Sequence, residues 1–141
     1  MSHELAGTLD VFVTLLKLAG ANSPAAVKLD GYDIAPVLTS GAASPRKEHF
    51  WEMFGSRAAR FDNWKWVLQG TRSNPPSPDA PGELFDLAAD LGEKRDLAKE
   101  KPKVLREMKE RCDNWMREMA RAEPRGPFSR DYFRLLGFPK N

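Results

Sequence analysis

The sequence predicts an α+β fold: a small antiparallel sheet of about four strands, packed by a long C-terminal amphipathic helix. Three observations carry this reading. Aromatic-rich runs with alternating faces occupy residues 48–69, and the dipeptide Asp62-Asn63 sits between two of them. Further on, Lys103 to Arg121 places its apolar residues in one stripe at helical spacing. A more uniformly apolar helix precedes the sheet.

That first helix starts near Thr8, whose hydroxyl suits an N-cap, and runs to about Ala19, with Gly20 placed to end it. Leu9, Val11, Phe12, Val13, Leu15, Leu16 and Leu18 leave it little polar face. A helix apolar nearly all round needs cover on nearly all sides. It therefore reads as left over from a larger α/β domain, and self-association through residues 8–19 is expected when that domain is missing. Residues 20–47 are rich in Gly, Pro, Ser and Ala and read as loop, with one helical turn near Asp33–Val37. The organisation expected is thus residues 1–47 as the tail of a larger domain plus linker, and 48–141 as the sheet-plus-helix unit.

His49 to Phe54 is aromatic-rich, as strands tend to be. Arg57–Phe61 and Trp64–Gln69 flank Asp62-Asn63, two residues that tolerate left-handed backbone, which signals a tight hairpin. Trp64, Trp66 and Leu68 then share one face, and Lys65, Val67 and Gln69 the other. Residues 70–82 hold four prolines and read as an exposed loop, and Glu83–Asp86 as one more short strand. Pro102 suits the first turn of the last helix, whose stripe is Val104, Leu105, Met108, Cys112, Trp115, Met116 and Met119. The tail from Phe128 to Phe138 is apolar enough to pack back on the sheet.

Bulk properties exclude several function classes. Basic and acidic residues number 22 and 20, and that balance argues against a nucleic-acid partner. No apolar run approaches the roughly 18 residues of a membrane span. Met1 to Glu4 lacks the basic stretch and apolar core of a signal peptide, which leaves the compartment open. Two histidines and one cysteine do not make an ordinary closed zinc site, so no metal or other cofactor is expected in this chain. Cys112 lies in the apolar stripe and reads as a packed core thiol, not a nucleophile. Asp86, Asp90, Glu93 and Asp96 offer oxygens to a calcium ion, but without EF-hand spacing they read as turn and capping acids.

Four stretches resemble the sulfatase family, within the alkaline-phosphatase-like superfamily. Leu9–Ala21 resembles the family's Asp-x-Phe-Pro-Thr-Leu followed by Leu-Ala-Gly, with Val13 where proline is usual. Leu29-Asp30-Gly31-Tyr32-Asp33-Ile34-Ala35-Pro36-Val37-Leu38 is similar to Leu-Asp-Gly-x-Asp-x-x-Pro-x-Leu. Ala59–Lys65 resembles the Val-Arg-x-Gly-x-Trp-Lys hairpin. Gly82–Ala98 is similar to Glu-Leu-Tyr-Asp-Leu…Asp-Pro-x-Glu…Asn-Leu-Ala, with Leu91 where proline is usual. The four occur in the family's order.

The resemblance implies a C-terminal portion of an enzyme that has a large α/β domain followed by a small sheet domain. Such enzymes hydrolyse sulfate esters with a formylglycine, made from the Cys or Ser of Cys/Ser-x-Pro/Ala-x-Arg, beside a calcium ion. That motif is absent here, since Asp113-Asn114-Trp115-Met116 follows Cys112. No catalytic residue is carried over. For the parent, the resemblance implies a sulfated small molecule or glycan as substrate. His49, Arg57, Arg60 and Lys65 are the candidates for the substrate rim, because sulfate oxygens favour forked cationic donors. Two other readings stand beside the fragment: a free-standing interaction module derived from a sulfatase, and an enzyme in its own right. The absence of a recognisable nucleophile–base pair counts against the second.

Overall fold

The computed structural model describes residues 4–23, 27–53, 55–71, 73–74, 76–77 and 79–121; the expectation for the 128–138 tail lies outside them. Among the described residues the elements are α1 (Thr8–Leu18), α2 (Ala35–Ser40), β1 (Glu48–Met53), β2 (Ser56–Phe61), β3 (Trp64–Leu68), β4 (Glu83–Asp86) and α3 (Pro102–Arg121). The strands form one antiparallel sheet in the order β1-β2-β3-β4, a meander, with α3 across β2 and β3. This is the expected α+β architecture.

Both tight turns use left-handed backbone. Asp62 takes φ +51° to close β2 onto β3, pairing Phe61 with Trp64 across a two-residue loop. Gly55 takes φ +85° between β1 and β2. Because register fixes faces, cross-strand partners line up in rows. Phe50, Ala59, Trp66 and Leu84 form one row across all four strands, and His49, Arg60, Lys65 and Phe85 form the neighbouring row on the opposite face.

The first row is the core. Trp66 and Leu84 are 0% exposed and pack with Ala59, Leu68, Ala98, Met108 and Cys112; Trp64 borders the cluster. The buried indole N–H of Trp66 donates to Pro81 O at 2.7 Å, so no polar group is stranded. Gly82 makes that approach possible. Its φ is +71°, and a Cβ there would stand 2.5 Å from Trp66 Nε1 and 2.6 Å from Val67 O.

The α3 stripe follows the expected pattern over most of its length. Met108 and Cys112 are fully covered, with Val104, Leu105 and Met116 against the same cluster and Trp115 stacked on Phe50 at 5.4 Å. Met119 departs from it at 44% exposed, near the end of the helix.

The first helix corrects one expectation, that of little polar face: it has a defined polar side, and that side is the covered one. Its buried residues are the polar Asp10 and Thr14, one turn apart, while Val11, Phe12, Leu15 and Leu18 are 52–69% exposed. Phe12 and Leu15 lie on the side away from the buried pair, so the helix is inside out relative to this chain. Gly7, not Thr8, is the N-cap; its N–H donates to Asp10 Oδ2 at 2.7 Å. The helix ends at Leu18, and Gly20 leaves it at φ +66°.

What turns the polar face inward is an ion pair. Arg46, on the approach to β1, forks onto Asp10 through Nε at 2.9 Å and Nη2 at 2.5 Å. Tyr32 N–H donates to the same carboxylate at 2.8 Å, and Arg46 Nη2 also reaches Asp30 O at 3.0 Å. The Thr14 hydroxyl donates to Asp10 O and accepts from Ile34 N–H. Gly31 sits so close under Leu9 that any side chain there would collide with the Leu9 carbonyl. Burial pushes the Asp10 carboxyl up, but the Arg46 fork and the Gly7 and Tyr32 amides outweigh it and hold the pKa at about 2.

Two predictions follow from this packing. Truncating Trp66 to Ala should cost on the order of 3–5 kcal/mol in urea unfolding; a loss within about 0.5 kcal/mol would place the indole outside the core. Asp10 has its folded pKa depressed from 3.8 to about 2. Its contribution, on the order of 2 kcal/mol, is therefore present above the unfolded value and lost as pH falls through the folded one. Stability measured from pH 5 to 2 should decline by that amount more in the parent chain than in Asp10→Asn. The variant itself should be about 3–5 kcal/mol weaker at neutral pH, because it strands the buried Arg46 charge.

Candidate functional site

Of the four rim candidates, register brings three together and separates the fourth. His49, Arg60 and Lys65 are successive cross-strand partners on the face away from α3. Arg57 pairs with Glu52 and Leu68 on the helix side, where its Nη1 lies 3.7 Å from Asp113 Oδ1. Its Nε is buried without a hydrogen-bond partner among the described residues. The alternation of β2 dictates this split, since residues 57 and 60 differ by an odd number of positions.

The outer-face row is already engaged. Lys65 Nζ meets Glu93 Oε1 at 2.5 Å, and Arg60 Nε donates to Asp62 O at 3.2 Å. His49 Nδ1 lies 3.3 Å from Arg46 Nη1, and because a guanidinium only donates, Nδ1 accepts and the ring is neutral. Burial, and then the Arg46 charge, hold its pKa below the usual imidazole range. The ring stands edge-on to Trp51 at 4.4 Å and lies against Gly7, where an added Cβ would be 3.0 Å away. Positive charge in this row therefore comes from Arg60 and Lys65.

Beside it opens a polar cleft of about 370 Å³, lined by Glu4, Arg46, Lys47, Arg60, Asp62 and Asn63. The 4–47 segment supplies one wall and the β2–β3 hairpin the other, joined by Asp62 N–H to Lys47 O at 3.3 Å. Asp10 and Arg46, which position this wall, were not singled out by sequence reasoning. Asp10 at the third helical position is a recognisable capping acid, but a partner 36 residues away has no local signature.

The groups that sulfatase chemistry would need do not fit the residues present. Cys112 is 0% exposed, and burial, reinforced by Asp113, pushes its thiol up to about 11, far from thiolate character. Asp86 Oδ1 accepts from Ala88 N–H, Asp90 Oδ2 from Lys94 and Arg95 N–H, and Asp96 Oδ1 from Leu84 and Ala98 N–H. With Glu93 on Lys65, these acids are spent on turns and strand edges. Among the described residues no group of three or more His, Cys, Asp or Glu is gathered as for a metal ion.

No family model matches the chain. Arylsulfatase A of Bos taurus is 36% identical over 117 residues, covering 69% of this chain, and that of Homo sapiens 34% over 134 residues, covering 78%. The chain spans about a quarter of the length of these curated relatives, 23% and 26%. Among solved structures, Ps i-CgsB in complex with a neocarrahexaose superposes with a TM-score of 0.61 at 23% identity. It covers 79% of this chain, which matches 24% of it. A protein solved with its substrate D-glucosamine-2-N,6-O-disulfate gives a TM-score of 0.55 at 18% identity, over 82% of this chain and 24% of its own. The likeness to arylsulfatase A runs through most of the sequence and the folds agree, so the chain belongs to the sulfatase family, of whose matched members it represents a part.

Proposed function

We propose that this chain is the C-terminal part of a sulfatase, a sulfuric ester hydrolase, in which it completes the fold and walls one side of the substrate cleft without a catalytic centre of its own. The observation that carries the reading is α1, whose apolar residues Val11, Phe12, Leu15 and Leu18 are more than half exposed among the described residues. Matched relatives about four times longer supply the length of polypeptide that such a face needs. Residues 1–47 would then be the tail of the parent's α/β domain and 48–141 its C-terminal sheet-plus-helix unit.

The parent's substrate class is a sulfated small molecule or glycan. Two structural neighbours were solved with a neocarrahexaose and with a disulfated glucosamine, and Arg60 and Lys65, with neutral His49 between Arg46 and Trp51, supply a donor row beside the cleft. Arg57 belongs to the helix side of the sheet and takes no part in this reading. Calcium and formylglycine belong to the parent's other portion.

The isolated chain should not hydrolyse 4-nitrophenyl sulfate, with or without calcium. Calcium-dependent turnover by protein purified free of host sulfatase would overturn the assignment of no catalytic centre. An in-frame Cys/Ser-x-Pro/Ala-x-Arg upstream in the gene would support the fragment, and a genuine start site would favour the interaction module. The exposed α1 face should also drive self-association in sedimentation velocity. Replacing Phe12 and Leu15 with Lys should abolish it and leave the 48–121 unit folded. A strictly monomeric unsubstituted chain, with α1 amides as protected from exchange as those of β3, would sink the leftover-helix idea.

A further inference from the structure

A groove of about 270 Å³ lies between β1 and α3, on the sheet face opposite the donor row, lined by Glu48, Phe50, Arg111, Asn114, Trp115 and Glu118. We propose that it is a binding site for a single uncharged sugar ring. Its aromatic element is the Phe50–Trp115 pair, stacked at 5.4 Å with planes 15° apart. Half-buried aromatic surface is a match for the C–H face of a pyranose, and a few polar groups beside it confer orientation.

Those polar groups divide into spent and unspent. Arg111 is occupied three ways, by Glu48 Oε2 at 3.1 Å, by Glu107 Oε1 at 3.0 Å and over the Phe61 ring at 3.7 Å. Asn114 Oδ1 accepts from Arg117 Nη2 at 2.6 Å. The Asn114 amide N–H groups, the Trp115 indole N–H and the Glu118 carboxylate have no hydrogen-bond partner among the described residues. Two kinds of donor and an anionic acceptor beside one aromatic pair are the complement of adjacent hydroxyls, each of which both donates and accepts.

Charge sets the class further. The lining carries two carboxylates, Glu48 and Glu118, against one guanidinium, Arg111, a net of −1. Sulfated or phosphorylated sugars are disfavoured there, and an uncharged ring is not. This site goes beyond the sulfatase reading and uses none of the donor-row residues, so either can fail without the other.

The test is a titration of the full chain, followed by ¹⁵N NMR on the tryptophan indole signals, with Trp115 assigned from Trp115→Phe. Methyl β-galactopyranoside and methyl α-glucopyranoside are the probes, with galactose 6-sulfate as the charged comparison. At least one uncharged sugar should shift the Trp115 signal with a Kd on the order of millimolar, leaving the buried Trp66 signal in place. Glu118→Gln, at an exposed position, should weaken that binding about tenfold with the rest of the spectrum unchanged. No Trp115 shift from either uncharged sugar up to about 50 mM would overturn the proposal. So would tighter binding of galactose 6-sulfate, or a Glu118→Gln chain that binds as the parent does.

Discussion

The contact between Asp10 and Arg46 holds everything that precedes the sheet. A carboxylate and a guanidinium with 0% and 7% of their side chains exposed would be costly to bury apart, and here they are not apart. Two backbone amides and the Arg46 fork saturate the carboxylate, and Arg46 reaches on to Asp30 O. Thr14 extends the same network to Ile34. The network, more than apolar packing, orients α1 on this chain, because most of the helix's apolar residues are exposed. The two resembled stretches at Leu9–Ala21 and Leu29–Leu38 thereby become one physical object.

The sheet-plus-helix unit is held by a different kind of force. Trp66, Leu84, Met108 and Cys112 are stripped of water between β3, β4 and α3, and Trp66 satisfies its one polar atom at Pro81. Non-directional burial of that sort tolerates shifts that a forked ion pair does not. The boundary between the two regimes runs through Arg46 and His49, and the cleft opens there. The neutral ring of His49 follows from its place at that seam, against a guanidinium already committed elsewhere.

Legibility in the sequence divided along the same line. The hairpin at Asp62-Asn63, the inward Trp64, Trp66 and Leu68, and the α3 stripe were readable because period and turn chemistry are local. Strand β4 was readable to the residue, since Gly82 and the acidic turn bracket it. The orientation of α1 was not, because apolar count along a helix does not reveal which side a distant Arg46 will claim. Arg57 and Arg60 looked equivalent as rim cations until the pairing of β2 put them on opposite faces. Lys65 was found, but its engagement with Glu93 was not, as that pair spans 28 residues.

The meander has a consequence for how the chain comes together in time. Each strand pairs with its neighbour in sequence, through loops of two residues at two turns and of 14 residues, 69–82, at the third, so the sheet can zip from any hairpin outward. The N-terminal clasp cannot: Asp10 leaves the ribosome first and waits 36 residues for Arg46. Until Arg46 is in place, the Asp10 carboxylate has only the Gly7 and Tyr32 amides to hold it, so α1 takes its final orientation after residues 10–46 are all present.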